Sequence, residues 1–234
     1  MLFKKVSPLS ITLLFLIFAS VIIFLDLGTL ANRILWILPN AAAIGIIYFL
    51  FTPKIHRFPL LFLWLLLVSS SLALKFEQFI FGVLTLVFSG TAYLVVGFSA
   101  IKQLSKIKAN WFLGIYFIIT LLVLGYFLFE LVQISKDQYT GFLQFILFNI
   151  ANLALIFMLA SALLLVHQNP TKIAMVFLGF AFVFILSEIV RAASYYSETR
   201  INLFIYGSRV LYVFALALLL NCCQLIEAEE RQKS

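Results

Sequence analysis

The chain has 234 residues, of which 65% are hydrophobic and only 11% are charged, whereas about 25% of the residues of an average soluble domain are charged. A water-soluble protein of this length could not bury so much apolar surface, and no stretch between the apolar runs is long enough for a soluble catalytic, nucleotide-binding or nucleic-acid-binding domain. The net charge of +7 comes mainly from loop lysines and arginines and does not indicate a nucleic-acid partner. The composition predicts an all-α, polytopic transmembrane helix bundle.

Eight apolar runs follow one another along the chain, each close to the roughly 20 residues that cross about 30 Å of hydrocarbon as a helix. The runs cover residues 9–26, 33–51, 58–75, 78–100, 110–133, 142–166, 172–193 and 202–223. Unpaired backbone is not tolerated in lipid, and the runs lack the strict alternation of barrel strands, so they are predicted as helices. We therefore expect a single transmembrane domain over 1–234 with about eight spans, the first of them an uncleaved span.

Lysine and arginine in the short loops predict the orientation, because cytoplasmic loops carry an excess of both. The side that holds the N-terminus has ten of them: Lys4, Lys5, Lys54, Arg57, Lys102, Lys106, Lys108, Lys172, Arg231 and Lys233. The opposite side has four: Arg33, Lys75, Lys136 and Arg200. This difference predicts a multi-pass protein of the cell inner membrane with both termini in the cytoplasm.

Four charged side chains fall inside the predicted spans, where each costs a few kcal/mol and is a functional candidate by default. The predicted layout puts Glu130, Glu188, Arg191 and Arg209 in the outer half of the membrane, with Glu188 the deepest. Arg191 follows Glu188 by three residues on the same helical face. The four charges sum to zero, as expected for a buried and mutually paired group.

Three asparagines, Asn40, Asn149 and Asn152, fall at similar depth in the second and sixth runs. We therefore predict a polar cavity that opens toward the outer surface and is walled by the second, fifth, sixth, seventh and eighth runs. A purely structural role is the alternative, with the charges as ion pairs or snorkelling groups and the asparagines as interhelical hydrogen bonds. The inner half of the membrane has few polar groups beyond Tyr93 and small residues. The acidic residues near the C-terminus, Glu227 among them, are expected to form a solvated helix end.

Two segments carry a resemblance to a known family. Residues 179–195, GFAFVFILSEIVRAASY, contain Ser187-Glu188, and residues 88–98, FSGTAYLVVGF, contain Tyr93. This order of motifs resembles the lysoplasmalogenase-like (YhhN-type) membrane family, in which a Ser-Asp pair stands in the seventh helix and a His precedes a Tyr by three residues in the fourth. Gly90 stands in place of that His, and the family's Gly-Asp and Lys-Pro motifs have no counterpart in this chain.

The resemblance implies hydrolysis of the vinyl-ether bond of lysoplasmalogen-type lysophospholipids, in a membrane whose lipids are the expected partners. Glu188 would be the catalytic acid or, with Arg191 beside it, the base, and Glu130 would supply the second carboxylate. Arg191 and Arg209 are expected to bind the lipid phosphate, for which a guanidinium group is well suited. Asn149, Asn152, Ser187 and Tyr93 complete the expected substrate-binding residues, and neither a metal nor an organic cofactor is expected.

Two other classes of function remain open at this point. A non-catalytic relative that binds lipid or another amphiphile would explain the missing Gly-Asp motif. A proton-coupled small-molecule transporter would use Glu130 and Glu188 as intramembrane carboxyl groups, although the chain shows no repeat pair of the kind found in many transporters.

Overall fold

The computed structural model describes residues 36–104, 111–135, 139, 141–196 and 202–233, and within these ranges the chain forms α-helices and no strand. The helices are α1 (Ile37–Leu50), α2 (Arg57–Leu72), α3 (Phe79–Ile101), α4 (Trp111–Ser135), α5 (Phe142–Gln168), α6 (Lys172–Tyr196) and α7 (Asn202–Lys233). They correspond in order to the second through eighth predicted runs. The predicted first span, 9–26, lies outside the described residues.

Five stretches of these helices are long and apolar enough to cross a membrane. They are Arg57–Lys75, Phe79–Ile101, Phe142–Gln168, Lys172–Tyr195 and Phe204–Gln232. The predicted all-helical class and its membrane-spanning helices are thereby confirmed for the part of the chain described. Helix α1 and the apolar part of α4, Ile118–Glu130, are shorter, so the total of eight spans stays a prediction.

A short connection with its own hydrogen bonds joins α2 to α3. Helix α2 passes into a 3₁₀ turn, Ala73–Lys75, and α3 begins at Phe79. The backbone N–H of Phe76 donates to the carbonyl of Ala73 at 3.2 Å, and that of Gln78 donates to the carbonyl of Lys75 at 2.9 Å. These bonds satisfy backbone groups that the helix ends leave without partners.

Phe184 of α6 lies at the centre of the helix bundle. Its fully buried ring packs against Phe62 of α2 with centroids 5.5 Å apart, Tyr93 of α3 at 5.7 Å and Tyr212 of α7 at 5.8 Å. Aromatic pairs at these separations add to the stabilisation that burial gives. Because residues four apart share a helical face, this packing also fixes the direction of Glu188, one turn after Phe184.

Candidate functional site

A cavity of about 520 Å³ lies toward one end of the helix bundle. It is formed by the C-terminal parts of α2, α4 and α6 together with the N-terminal parts of α3, α5 and α7. We call it the Glu188 cavity. Its polar lining consists of Ser69, Ser70, Glu77, Thr85, Ser89, Tyr93, Asn152, Glu188, Arg191, Ser194, Tyr195, Ser208 and Arg209.

Glu188 is the most deeply held carboxyl group of this cavity, with 8% of its surface exposed. The Tyr93 hydroxyl donates a hydrogen bond to its Oε2 atom at 2.9 Å. The Arg191 guanidinium donates to the same oxygen and forms an ion pair with it, as the three-residue spacing on α6 allows. Two donors on one oxygen hold the carboxyl group in a single orientation.

Two guanidinium groups line the cavity. That of Arg191 is partly exposed and lies over the ring of Trp36, 5.4 Å from its centroid, a separation typical of a cation–π contact. Arg209 of α7 is only 4% exposed and lies 5.9 Å from the centroid of Tyr206. Guanidinium groups recognise carboxylate and phosphate well, and in this cavity Arg191 already forms an ion pair with the Glu188 carboxylate.

Asn152 of α5 adds a hydrogen-bond donor to the cavity. The residue is buried and lines the cavity, and its Nδ2 atom has no hydrogen-bond partner among the described residues. Because a buried polar group without a partner costs free energy, a water molecule or a ligand oxygen in the cavity would lower that cost by accepting a hydrogen bond from this amide.

Asn40 and Tyr212 connect α1 to α7 beside the cavity. The Tyr212 hydroxyl donates to Oδ1 of Asn40 at 2.7 Å, and Nδ2 of Asn40 lies 3.4 Å from Oγ of Ser70, which lines the cavity. The asparagine that the sequence singled out on the second run therefore supports the wall of the site.

The structure brings together five of the eight residues predicted for the site. Glu188, Arg191, Arg209, Asn152 and Tyr93 all line the cavity. The predicted layout put Tyr93 in the inner half of the membrane, and Tyr93 was also among the expected substrate-binding residues. The hydrogen bond from its hydroxyl to Glu188 joins α3 to α6 across 95 residues of chain.

The other three predicted residues do not line the cavity. Glu130 is exposed on α4. Asn149 donates its Nδ2 to the carbonyl of Phe145 at 2.8 Å, and Ser187 donates its hydroxyl to the carbonyl of Phe184 at 2.8 Å. Both side chains therefore bond the backbone of their own helices, as polar side chains within helices often do.

Two helices that were not expected in the wall, α2 and α3, also contribute to it, and so does the turn between them. Glu77 in this turn is exposed, lines the cavity and accepts a hydrogen bond from the Tyr195 hydroxyl at 3.2 Å. The sequence did not predict Glu77 as a site residue. One feature of the sequence could have indicated it: the turn lies on the same predicted side of the membrane as Glu188, Arg191 and Arg209.

A second polar cluster lies at the other end of the bundle, where the sequence predicted a solvated helix end. The His56–Glu227 cluster consists of Thr52, His56, Glu227 and Arg231. Glu227 is buried and accepts hydrogen bonds from the Thr52 hydroxyl at 2.8 Å and backbone N–H at 3.2 Å. The expectation for Glu227 was wrong because the connection between α1 and α2 folds over it.

The His56 imidazole is fully buried within this cluster, with Nε2 3.1 Å from Oε2 of Glu227. Burial lowers the pKa of His56 below its ordinary value, and the Glu227 carboxylate only partly opposes that shift. Among the described residues, no group of three His, Cys, Asp or Glu side chains could hold a metal ion, and this cluster supplies only two of those side chains.

A scan against protein-family models, a search of curated proteins and a search of solved structures each found no match to this chain.

Proposed function

We propose that the Glu188 cavity binds a lysophospholipid-type amphiphile and hydrolyses its vinyl-ether bond, the reaction implied by the resemblance to lysoplasmalogenases. One observation carries the proposal. A buried carboxyl group, Glu188, lines the same cavity as two guanidinium groups, Arg191 and Arg209. This arrangement combines a group able to transfer protons with groups suited to a phosphate.

Binding of the substrate would use the cavity's positive and donor groups. Arg191 and Arg209 would contact the phosphate, and the buried Nδ2 of Asn152 would donate to an oxygen of the glycerol. The hydrogen bonds from the two arginines to the phosphate would be charge-assisted, and such bonds are about twice as strong as neutral ones. They would fix the vinyl-ether bond relative to Glu188.

The reaction consumes one water molecule. Protonation of the vinyl carbon farther from the ether oxygen gives an oxocarbenium ion, to which water adds with loss of a proton to a base. The resulting hemiacetal breaks its bond to the glycerol oxygen, which takes up the hydroxyl proton, and a fatty aldehyde and a glycerophospho-base are released. Glu188, whose Oε2 already accepts two hydrogen bonds, suits the base that takes the proton from water. Glu77, the other carboxyl group that lines the cavity, would be the acid that protonates the vinyl carbon.

Aldehyde release from a lysoplasmalogen by the purified protein tests this function. We expect Glu188→Gln to lower the rate at least about 100-fold, as general acid–base catalysis predicts, and Glu77→Gln to lower it as well. Glu130→Gln, which changes an exposed carboxyl group outside the cavity, is the matched control and should keep the wild-type rate. Equal rates for the Glu188 and Glu130 variants would contradict the proposal.

Binding without turnover is the second candidate, and one observation favours it. Glu130, which was expected to be the second carboxylate, is exposed on α4, and the remaining candidate, Glu77, is also exposed. A protein that binds the amphiphile but releases no aldehyde over hours would support this candidate. The hypothesis of proton-coupled transport relied on Glu130 and Glu188 as two carboxyl groups of one pathway. The described residues show no contact between these two groups, so this hypothesis gains no support.

We further propose that the protein has eight spans in a bacterial inner membrane, with both termini in the cytoplasm. The ten-to-four distribution of lysine and arginine supports this orientation. The Glu188 cavity would then open toward the outer surface, and the His56–Glu227 cluster would lie at the cytoplasmic side.

A further inference from the structure

The buried hydrophobic residues of the described chain form two separate clusters, and the smaller one borders the Glu188 cavity. Its buried members are Leu86 of α3, Leu128 of α4 and Phe148 of α5, and Phe76, Ile189 and Ala192 pack against them. All six residues line the cavity. The cavity therefore has an apolar part, which we call the chain subsite, in addition to its charged part.

The chain subsite is continuous with the charged groups along α6. Ile189 directly follows Glu188, and one residue corresponds to about 100° of rotation around a helix. Adjacent faces of one helix thus present a charged group and an apolar group to the same cavity. A ligand that fills both parts must be amphiphilic, with an anionic or acceptor-rich end and an apolar end.

We infer that the chain subsite binds the hydrocarbon chain of the amphiphile, and that Leu128 of α4 sets the length of chain that the cavity accepts. The inference rests on the proposed function of the cavity and names the second half of its ligand. A cavity of about 520 Å³ lies within the range of roughly 300–1,000 Å³ typical of small-ligand sites.

Among the α4 side chains that the structure describes, Leu128 is the one that lines the cavity. It is 3% exposed, whereas Leu122 on the same helix is 67% exposed. A tryptophan at 128 would occupy space that a long chain needs, but a tryptophan at 122 would extend away from the bundle. The pair therefore gives a matched comparison within one helix.

The test is equilibrium binding of tritiated lysophosphatidylcholine, with octanoyl or palmitoyl chains, to the full-length protein in lipid nanodiscs. We expect Leu128→Trp to weaken binding of the palmitoyl form about tenfold or more, the scale of an overpacked site, and to leave the octanoyl form within about twofold. Leu122→Trp should leave both unchanged. Comparison of variants at one chain length cancels the partitioning of each lipid into the nanodisc.

The two proposals fail in different ways in this experiment. Absence of saturable binding of either lipid to the wild-type protein would overturn the proposed function and this inference together. Saturable binding that Arg209→Gln weakens, but that Leu128→Trp reduces equally for both chains or not at all, would overturn the chain subsite alone.

A second measurement needs no substitution in the cavity and covers the case in which Leu128→Trp does not fold. Palmitoyl lysophosphatidylcholine with a diazirine at the end of its chain should label α4 or α5 near Leu128 and Phe148 in the wild-type protein. An excess of unlabelled lipid should abolish that labelling. Labelling spread over exposed residues such as Leu122, without competition, would contradict the inference.

Discussion

The immediate neighbours of Glu188 stabilise its buried carboxyl group inside an otherwise apolar helix bundle. A buried carboxylate is costly unless it is paired and hydrogen-bonded, and here Tyr93 and Arg191 both donate to Oε2. The buried ring of Phe184, one turn earlier on α6, fixes the face that carries the carboxyl group. These contacts hold Glu188 in one orientation before a ligand arrives, as a catalytic or binding group requires.

His56 is the titratable residue for which the structure predicts a clear pH effect. Its pKa in the folded protein is lowered by burial below the ordinary value of 6.5, so near that pH the unfolded chain binds more protons than the folded one. The contribution of a neutral His56 to the free energy of unfolding is therefore fully present above pH 6.5 and is lost as the pH falls through the lowered pKa.

We expect the melting temperature of the purified protein to fall as the pH is lowered from about 7.5 to about 5. His56→Gln should reduce this dependence, because glutamine can still donate to Glu227 but does not titrate. Thermal unfolding of both proteins over this pH range measures the effect. An identical pH dependence in the two proteins would show that His56 does not contribute.

Residue-level prediction from the sequence grouped the charged side chains of the cavity but missed their contacts with distant parts of the chain. The span layout alone placed Glu188, Arg191 and Arg209 near one another, because hydropathy fixes position along the membrane normal. It could not show that Tyr93 meets Glu188, or that Glu227 meets His56 across 171 residues of chain. Such contacts depend on how helices pack side by side, which hydropathy does not specify.

Glycines of α3 permit its close approach to α5, the kind of packing that small residues allow between membrane helices. A Cβ at Gly90 would lie 3.5 Å from Cα of Ala151, and one at Gly97 would lie 2.5 Å from the ring of Phe157. The α3–α5 contact positions both Tyr93 and Asn152, so it shapes the site as well as the fold.

Gly82→Ala should destabilise the protein by about 1–3 kcal/mol, the usual range for overpacking. Its Cβ would clash with the Gln144 side chain and lie 2.8 Å from the backbone carbonyl oxygen of Phe76, and a backbone atom cannot move aside as a side chain can. Thermal or denaturant unfolding in detergent measures the change.

The matched control for this substitution is Gly45→Ala on α1, where nothing lies within 4 Å of the added Cβ. It should leave stability unchanged or increase it by about 1 kcal/mol, because alanine has the higher helix propensity. Equal destabilisation by the two substitutions would mean that close packing at Gly82 does not matter.

The elements were largely predictable, and their differences from the prediction have a physical cause. The predicted run 142–166 is close to α5, Phe142–Gln168, and 172–193 is close to α6, Lys172–Tyr196. Helix α7, predicted to end its span at 223, continues as far as Lys233. Hydropathy marks the length that lies in hydrocarbon, whereas a helix continues where tertiary contacts such as Glu227 with His56 support it.

At the scale of the whole molecule, the described helices form a bundle with different chemistry at its two ends. One end holds the Glu188 cavity, with two guanidinium groups, a buried carboxyl group and the chain subsite. The other holds the His56–Glu227 cluster, which joins the connection between α1 and α2 to α7. Composition predicted that the chain is a membrane protein. The cavity could not be predicted in full, because its lining or support comes from all seven described helices or their flanking residues.

We propose that the Glu188 cavity recognises a phosphate-bearing single-chain lipid. The most direct measurement compares binding of palmitoyl lysophosphatidylcholine with that of palmitoyl monoacylglycerol, which has the same chain and no phosphate. We expect the phosphate-bearing lipid to bind at least about tenfold more tightly, and Arg209→Gln to remove most of that difference. Equal affinity of the wild-type protein for the two lipids would contradict the claim.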